Sequence, residues 1–280
     1  GDSSQDNVPI SITECTNEKL WTCDVRNSKD ISVKKYNWNG TKSEIVWDGT
    51  DESGNLAKDG NYNIILFTTD DAGNSFTTEI KGISLDTRET KVYLTAEYEG
   101  ISPNGDKVLE SQIFNVSTTV AEGIASWQFD VRKEDGTSVY KLTEKDIKNL
   151  PTQITWNGAD PKGNACEGTF TGTLEINYKK GNRVSSVSSA FVCTALPPKL
   201  DVRTAPEYFS PDNDGTDDDL FIKLGASSKA KLKNWSFVIK DPKGKDFWKL
   251  SGKNNVTERI IWDGLSNVQK SANGKAERVQ

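Results

Sequence analysis

The chain has 280 residues, which at roughly 150 per domain gives about two domains or three small ones, and its 34% apolar content suits small cores better than one large one. Its 41 acidic against 35 basic residues give a net charge of -6 and a pI near 5.0, which argues against binding a phosphate backbone. With no histidine, every Ser-His-Asp, Cys-His and His-ligated metal mechanism is excluded.

No run approaches the roughly 18 apolar residues of a bilayer-spanning helix, so no direct membrane insertion is expected. The lack of methionine, even at position 1, reads as a processed or engineered start from which any export signal is gone.

Taken in chain order, the first apolar stretch lies near Val8, and Trp21-Thr-Cys-Asp-Val-Arg26 follows as a strand. Trp47-Asp48-Gly49 opens a tail of Asp-Gly turns that leads to the strand-like run Tyr62 to Thr69. A turn at Asp71-Ala-Gly73-Asn74 and a second strand-like stretch complete this unit, whose end falls at about Thr87.

The next unit begins near Val92 and contains Ser102-Pro103-Asn104-Gly105. Trp127-Gln-Phe-Asp-Val-Arg132 then turns through Asp135-Gly136 into Ser138 to Lys141, a hairpin. Thr143 to Asn149 is the one stretch suited to a short helix. After Trp156-Asn157-Gly158, the run Phe170 to Tyr178 alternates apolar or small with polar residues, the period of a strand with one buried face. It turns at Lys180-Gly181-Asn182. The Lys179 to Arg183 cluster reads as a basic hairpin tip.

Ala195-Leu-Pro197-Pro198 is a proline-stiffened joint. Beyond it come Ser210-Pro211-Asp212-Asn213, Trp235-Ser-Phe-Val-Ile-Lys240, an Asp241-Pro242-Lys-Gly244 turn and Trp262-Asp263-Gly264. These elements repeat. The tryptophans of the Trp-(Asp/Asn)-Gly tripeptides are 109 and 106 residues apart, those of the upstream strand 106 and 108, and the Ser-Pro pairs 108. Three landmarks sharing one period make the chain a tandem array.

The expected fold is all-β, with tandem Ig-like or fibronectin-III-like β-sandwich modules at 1–87, 88–197 and 198–280. The end modules differ from the middle one. About 13 residues separate Val8 from Trp21, against about 35 from Val92 to Trp127, so module 1 is expected to be shortened at its start. Module 3 stops 18 residues after Trp262, before the strand and hairpin that follow the tripeptide elsewhere. Its stretch Lys270 to Gln280 is expected to be poorly ordered. A sheet edge near Trp235 to Lys240 is therefore expected to stand open, filled either by residues outside the sequence or by strand addition from another chain.

Trp21, Trp47, Trp127, Trp156, Trp235 and Trp262 are assigned to the cores, where large apolar rings serve small modules best. The competing reading makes the Trp and Tyr residues a sugar platform. Trp38, Phe247 and Trp248 do not recur at the repeat positions, so their joint exposure would favour a binding surface and their burial a spacer.

The pattern from Trp47-Asp-Gly to Asp70-Asp-Ala-Gly-Asn74 resembles the Ig-like repeat of flagellar hook-capping proteins and many bacterial surface proteins. Ser102-Pro-Asn-Gly-Asp106 and Ser210-Pro-Asp-Asn-Asp-Gly215 resemble a motif that opens envelope-associated Ig-like repeats. Arrays carrying both resemble the extracytoplasmic region of spirochaetal proteins that end in an OmpA-like peptidoglycan-binding domain. The resemblance implies a periplasmic, outer-membrane or cell-surface location. It reaches nearly the whole chain in pieces but includes no OmpA-like domain, so any peptidoglycan contact would belong to a domain absent from this chain.

The acidic loop supplies the one candidate cation site. Asp212, Asp214, Asp217 and Asp219 offer hard oxygen ligands of the kind calcium takes, although Lys223 stands where an EF-hand would place its bidentate Glu. A solvated turn is the competing reading, and no other cofactor is implied.

The four cysteines form no CxxC. Two local disulfides are expected, Cys15 with Cys23 and Cys166 with Cys193, and these would require an oxidising compartment. The alternative is four buried free thiols.

No Gly-rich phosphate loop or nucleophile elbow is present, and the carboxylates fall in turns or point outward along strands, so no residue is assigned a catalytic role. The sequence thus suggests a non-enzymatic extracytoplasmic scaffold whose partners are proteins or other domains of the same polypeptide. The competing class is an adhesin holding a host protein or glycan through sandwich loops or exposed aromatics.

Overall fold

A computed structural model describes residues 5–12, 20–41 and 44–279 and is β throughout. Module 1 comprises β1 (Val8–Ser11), β2 (Leu20–Asn27), β3 (Ser32–Trp38), β4 (Glu44–Trp47), β5 (Gly60–Thr69) and β6 (Ser75–Leu85). β1 pairs with β4, and the facing sheet has the order β3-β2-β5-β6. Period-2 alternation puts Cys23 and Val25 of β2, Ile45 and Trp47 of β4, and Tyr62 and Ile64 of β5 into one core.

Module 2 comprises β7 (Val92–Ala96), β8 (Gly100–Ile101), β9 (Gln112–Thr118), β10 (Ile124–Lys133), β11 (Ser138–Thr143) and β12 (Gln153–Trp156). β13 (Gly168–Tyr178), β14 (Arg183–Val187) and β15 (Phe191–Cys193) complete it. The sheet β12-β9-β7 faces β11-β10-β13-β15-β8, with β14 also on β13 and β8 parallel to β15. Three strands facing a larger, hairpin-built sheet is an Ig-like sandwich. At Gly172 of β13 a built Cβ would lie 2.5 Å from the Phe114 ring of the facing sheet, so only glycine fits there.

Module 3 comprises β16 (Lys199–Ala205), β17 (Leu220–Ser227), β18 (Trp235–Lys240), β19 (Asp246–Gly252), β20 (Arg259–Trp262), β21 (Leu265–Lys270) and β22 (Ala276–Arg278). It holds the sheets β16-β17-β20, β18-β19 and β21-β22 around Ile222, Leu224, Phe247, Ile260 and Trp262. The three cores share no residue.

Strand register shows which elements correspond. Trp47, Trp156 and Trp262 sit opposite Val8, Gln112 and Leu220, so β1, β9 and β17 are the same strand. Val8 therefore corresponds to Gln112 and not to Val92. Among the described residues, module 1 holds no counterpart of β7, and the expected short connection is a different strand in the same place. The first part of β6 is correspondingly bare, with Phe76 60% and Ile80 48% exposed, while Ile83 and Leu85 at its other end pack on the core.

Two further expectations are corrected. Thr143 to Asn149 forms no helix; Thr143 ends β11, and its N–H and hydroxyl both donate to Asp146, which closes a turn. Lys270 to Val279 is not loose. It forms the β21–β22 hairpin, closed by Ser271 N–H to the Lys275 carbonyl and Gly274 N–H to that of Ser271, and Val279 packs on the third core.

Candidate functional site

The repeated tripeptide is a self-contained lock. In each copy the tryptophan indole N–H donates to the carbonyl three residues on: Trp47 to Thr50 (2.9 Å), Trp156 to Ala159 (2.9 Å) and Trp262 to Leu265 (2.8 Å). The side-chain oxygen of Asp48, Asn157 or Asp263 accepts the backbone N–H two residues on, an Asx turn. The Thr50 hydroxyl, which also donates to Asp48, holds that carboxylate below its usual range. The glycines take φ of +76°, +73° and +75°, the left-handed region open to them.

The Ser-Pro motif packs onto this lock. A Cβ at Gly158 would lie 2.8 Å from Pro103 Cγ, and one at Gly264 would lie 2.8 Å from Pro211 Cγ. In module 1, which carries no Ser-Pro pair, Leu85 covers Gly49 instead. The two motifs thus recur together because one forms the seat of the other.

Of the residues assigned to the cores, Trp21, Trp47, Trp127, Trp156 and Trp262 are buried, and Trp235 is only half-buried. Its indole N–H donates to the Asn255 carbonyl. The aromatics outside the repeat do not gather into one exposed patch. Trp38 stacks on Trp21 with ring centroids 5.9 Å apart, Phe247 is buried against Trp262, and Trp248 is half-buried against Phe237.

In the acidic loop between β16 and β17, carboxylate oxygens of Asp212, Asp214 and Asp218 lie within 4.8 Å of one another. Asp217 and Asp219 are not in this group. Asp217 instead has φ +50° and its carbonyl accepts the Ser210 N–H, while Asp219 leads into β17. Asp218, outside the expected set, is the organiser: it accepts the N–H groups of Asn213 (2.6 Å) and Gly215 (2.9 Å). Asp212 accepts from Asp214 N–H, and Asp214 from Thr216 N–H.

The module 2 loop repeats this wiring. Glu110 accepts from Lys107 N–H, Asn104 from Asp106 N–H and Asp106 from Val108 N–H. The signal for Asp218 was therefore available, since Ser102 to Glu110 and Ser210 to Asp218 span the same distance in sequence. Three carboxylates are a donor set that a hard cation such as calcium accepts. Each one already folds the loop by accepting a backbone N–H.

The expected disulfides are absent among the described residues. Cys23, Cys166 and Cys193 are free and buried, and Cys15 lies outside the described residues. The pairing of β15 on β13 brings Cys166 and Cys193 near the same carbonyl. Cys166 N–H donates to the Gly158 carbonyl at 2.7 Å, and the Cys193 thiol faces the same carbonyl at 3.8 Å. Burial, reinforced by the negative charge that Cys166 and Glu167 would carry, pushes the Cys193 thiol up to about 12, and burial pushes Cys23 up to about 11. Such thiols stay protonated and pack as small apolar groups.

Lys180 of the basic hairpin tip is committed too. It donates to the carbonyls of Asp86 and Arg88 and pairs with the Asp86 carboxylate at 3.4 Å, fastening the segment that joins modules 1 and 2. Thr87 ties the same segment to Asp59 through its N–H (2.9 Å) and hydroxyl (2.8 Å). At the next joint, Glu167 accepts the Ala195 N–H and pairs with Lys229 at 3.6 Å.

No protein-family description and no curated protein matches the chain. Similar solved structures include a tetra-tandem repeat from the extending region of a large adhesion protein, at 14% identity and TM-score 0.32, covering 93% of this chain and 62% of that one. Fibronectin(III)-like modules of Clostridium thermocellum CbhA match at 16% identity and TM-score 0.35, covering 69% and 88%. A 1.5-MDa bacterial ice-binding adhesin matches at 11% identity and TM-score 0.31, covering 98% and 87%. The chain thus spans 62% of the length of the first of these. Likeness this distant carries no argument about activity or partner, and the sandwich assignment rests on the sheets and registers.

Proposed function

We propose that this chain is a non-enzymatic array of Ig-like modules, with limits at 1–87, 88–197 and 198–280, that spaces or scaffolds other parts of an extracytoplasmic bacterial envelope protein. One observation carries the reading: the recurrent residues are consumed internally. The indole N–H, the Asx oxygen, the left-handed glycine and the Ser-Pro proline each make their contact inside their own module. A residue type repeated for recognition would instead be presented outward. The fastened joints support the same reading, because a spacer transmits position only when its modules do not swivel freely. Envelope placement draws on the motif resemblance alone, and any peptidoglycan contact is assigned to domains outside this chain.

The test is a distance measurement between spin labels at the exposed positions of Lys29→Cys in module 1 and Lys243→Cys in module 3. A narrow distribution is expected, shortened after in-frame removal of module 2 by roughly the ~36 Å length of its 11-residue strand β13. A broad distribution like that of a flexible chain would overturn the spacer, as would saturable binding of a glycan or host protein by the isolated array.

A further inference from the structure

Corresponding residues in modules 2 and 3 have opposite fates. Val92 and Leu94 of β7 are 7% and 4% exposed, whereas their counterparts in β16, Leu200 and Val202, are 74% and 52% exposed. The registers are equivalent: Val92 and Leu94 face Thr118 and Val116, and Leu200 and Val202 face Ala226 and Leu224. The side chains thus point to the core side in both modules. What differs is the cover. In module 2, β13 and β14 lie against β7, and Ser186 of β14 accepts the Leu94 N–H. Among the described residues, module 3 holds no counterpart of β13, β14 or β15.

The same gap leaves an edge open. β2 lies between β3 and β5, and β10 lies between β11 and β13, but β18 pairs with β19 alone. Trp235, the counterpart of buried Trp21 and Trp127, is half-buried for this reason. A strand edge and an apolar face bordering one vacant position make a seat for a β-strand.

We infer that module 3 binds one extended polypeptide segment, antiparallel along Trp235–Lys240, from outside the described residues. The two filled modules specify its chemistry. Opposite the positions equivalent to Trp235, Phe237 and Ile239 of β18 and to Asp241 just beyond it, module 1 places Thr68, Leu66, Ile64 and Tyr62. Module 2 places Ile176, Leu174, Gly172 and Phe170 there. The occupant therefore carries an aromatic residue, then Ile or Gly two positions on, Leu at four, and Thr or Ile at six. The leucine meets Phe237, and the apolar side faces Leu200 and Val202. This inference stands on the correspondence of strands and does not depend on the spacer reading.

The experiment uses the full chain with a synthetic peptide of residues 168–179, the β13 sequence, either added in solution or fused after Gln280 through a flexible linker. A scrambled peptide serves as control. Hydrogen exchange should slow by about tenfold or more at the β18 amides that face away from β19, and at β16, in at least one arm. Leu200→Glu should abolish the effect without unfolding the module, because Leu200 is largely exposed in its absence. Three results would overturn the inference: no protection in either arm, equal protection by the scrambled peptide, or β18 amides already protected through self-association of the chain, which would make a second copy the occupant.

Discussion

At the scale of single residues, two buried tryptophans of module 2 sit in different electrostatic settings although both fill the same core. Trp156 donates its indole N–H to the Ala159 carbonyl at 2.9 Å, which closes the tripeptide loop. The indole N–H of Trp127 is buried with no acceptor among the described residues. Truncating either to phenylalanine removes similar volume and leaves a small cavity. Trp156→Phe additionally strands a carbonyl, whereas Trp127→Phe relieves an unpaired donor, a difference of order 1–3 kcal/mol. Urea unfolding of the two variants should therefore show Trp156→Phe as the more destabilised by at least about 1 kcal/mol. Equal midpoints would mean that the tripeptide hydrogen bond contributes nothing net.

At the scale of elements, the backbone of the acidic loop is written by its carboxylates. Asp218 satisfies two loop N–H groups at once, while Asp219 sits outside the cluster, so the two neighbours should respond very differently to removal. Asp218→Ala should release the Asn213 and Gly215 amides, speeding their exchange and costing about 1–2 kcal/mol, with Asp219→Ala near neutral. Comparable exchange in both variants would show that the loop is held by Pro211 on Gly264 alone.

Strands and turns were legible in the sequence because period-2 alternation and Asp-Gly turns are local signals. Of the recurring tryptophans assigned to the cores, Trp21, Trp47, Trp127, Trp156 and Trp262 are buried and Trp235 is half-buried. What escaped was anything set by register or by a partner distant in sequence. Val8 does begin the first described strand, but only its pairing with Trp47 shows that this strand corresponds to that of Gln112 and not to that of Val92. Asp218 joins Asp212 and Asp214 while Asp217 and Asp219 do not, because the backbone turns with φ of +66° at Asn213, +90° at Gly215 and +50° at Asp217, which a one-dimensional spacing does not carry. Cys166 and Cys193 do lie near each other, but sequence spacing does not show that the Cys193 thiol turns to the Gly158 carbonyl, which also accepts the Cys166 backbone N–H.

For the whole molecule, three cores that share no residue make the joints the determinant of behaviour, and the joint between modules 1 and 2 is fastened by charge. Asp86 lies at its centre. The Arg88 guanidinium donates to both of its carboxylate oxygens at 3.0 Å, the Arg88 N–H donates at 3.1 Å, and Lys180 approaches at 3.4 Å. The Arg88 side-chain hydrogen bonds, with its N–H and Lys180 adding to them, hold the Asp86 carboxyl down at about 2, against 3.8 ordinarily. A depressed carboxylate stabilises the fastened joint fully above pH 4, and that contribution is lost as pH falls from 4 through 2. Arg88 is half-exposed and screened, so the contribution is about 1 kcal/mol rather than the full linkage value. Between pH 5 and pH 1.5, the latter below the depressed Asp86 value, the relative motion of modules 1 and 2, read from backbone amide relaxation, should therefore increase. Asp86→Asn should already show the increased motion at pH 5 and lose the pH dependence. Lys180→Ala should loosen the joint at neutral pH while leaving the β13–β14 hairpin folded, because Lys180 points out of that hairpin to grip the joint. If all three proteins show the same inter-module motion across this range, the joint is positioned by Thr87 on Asp59 and not by the ionic cluster.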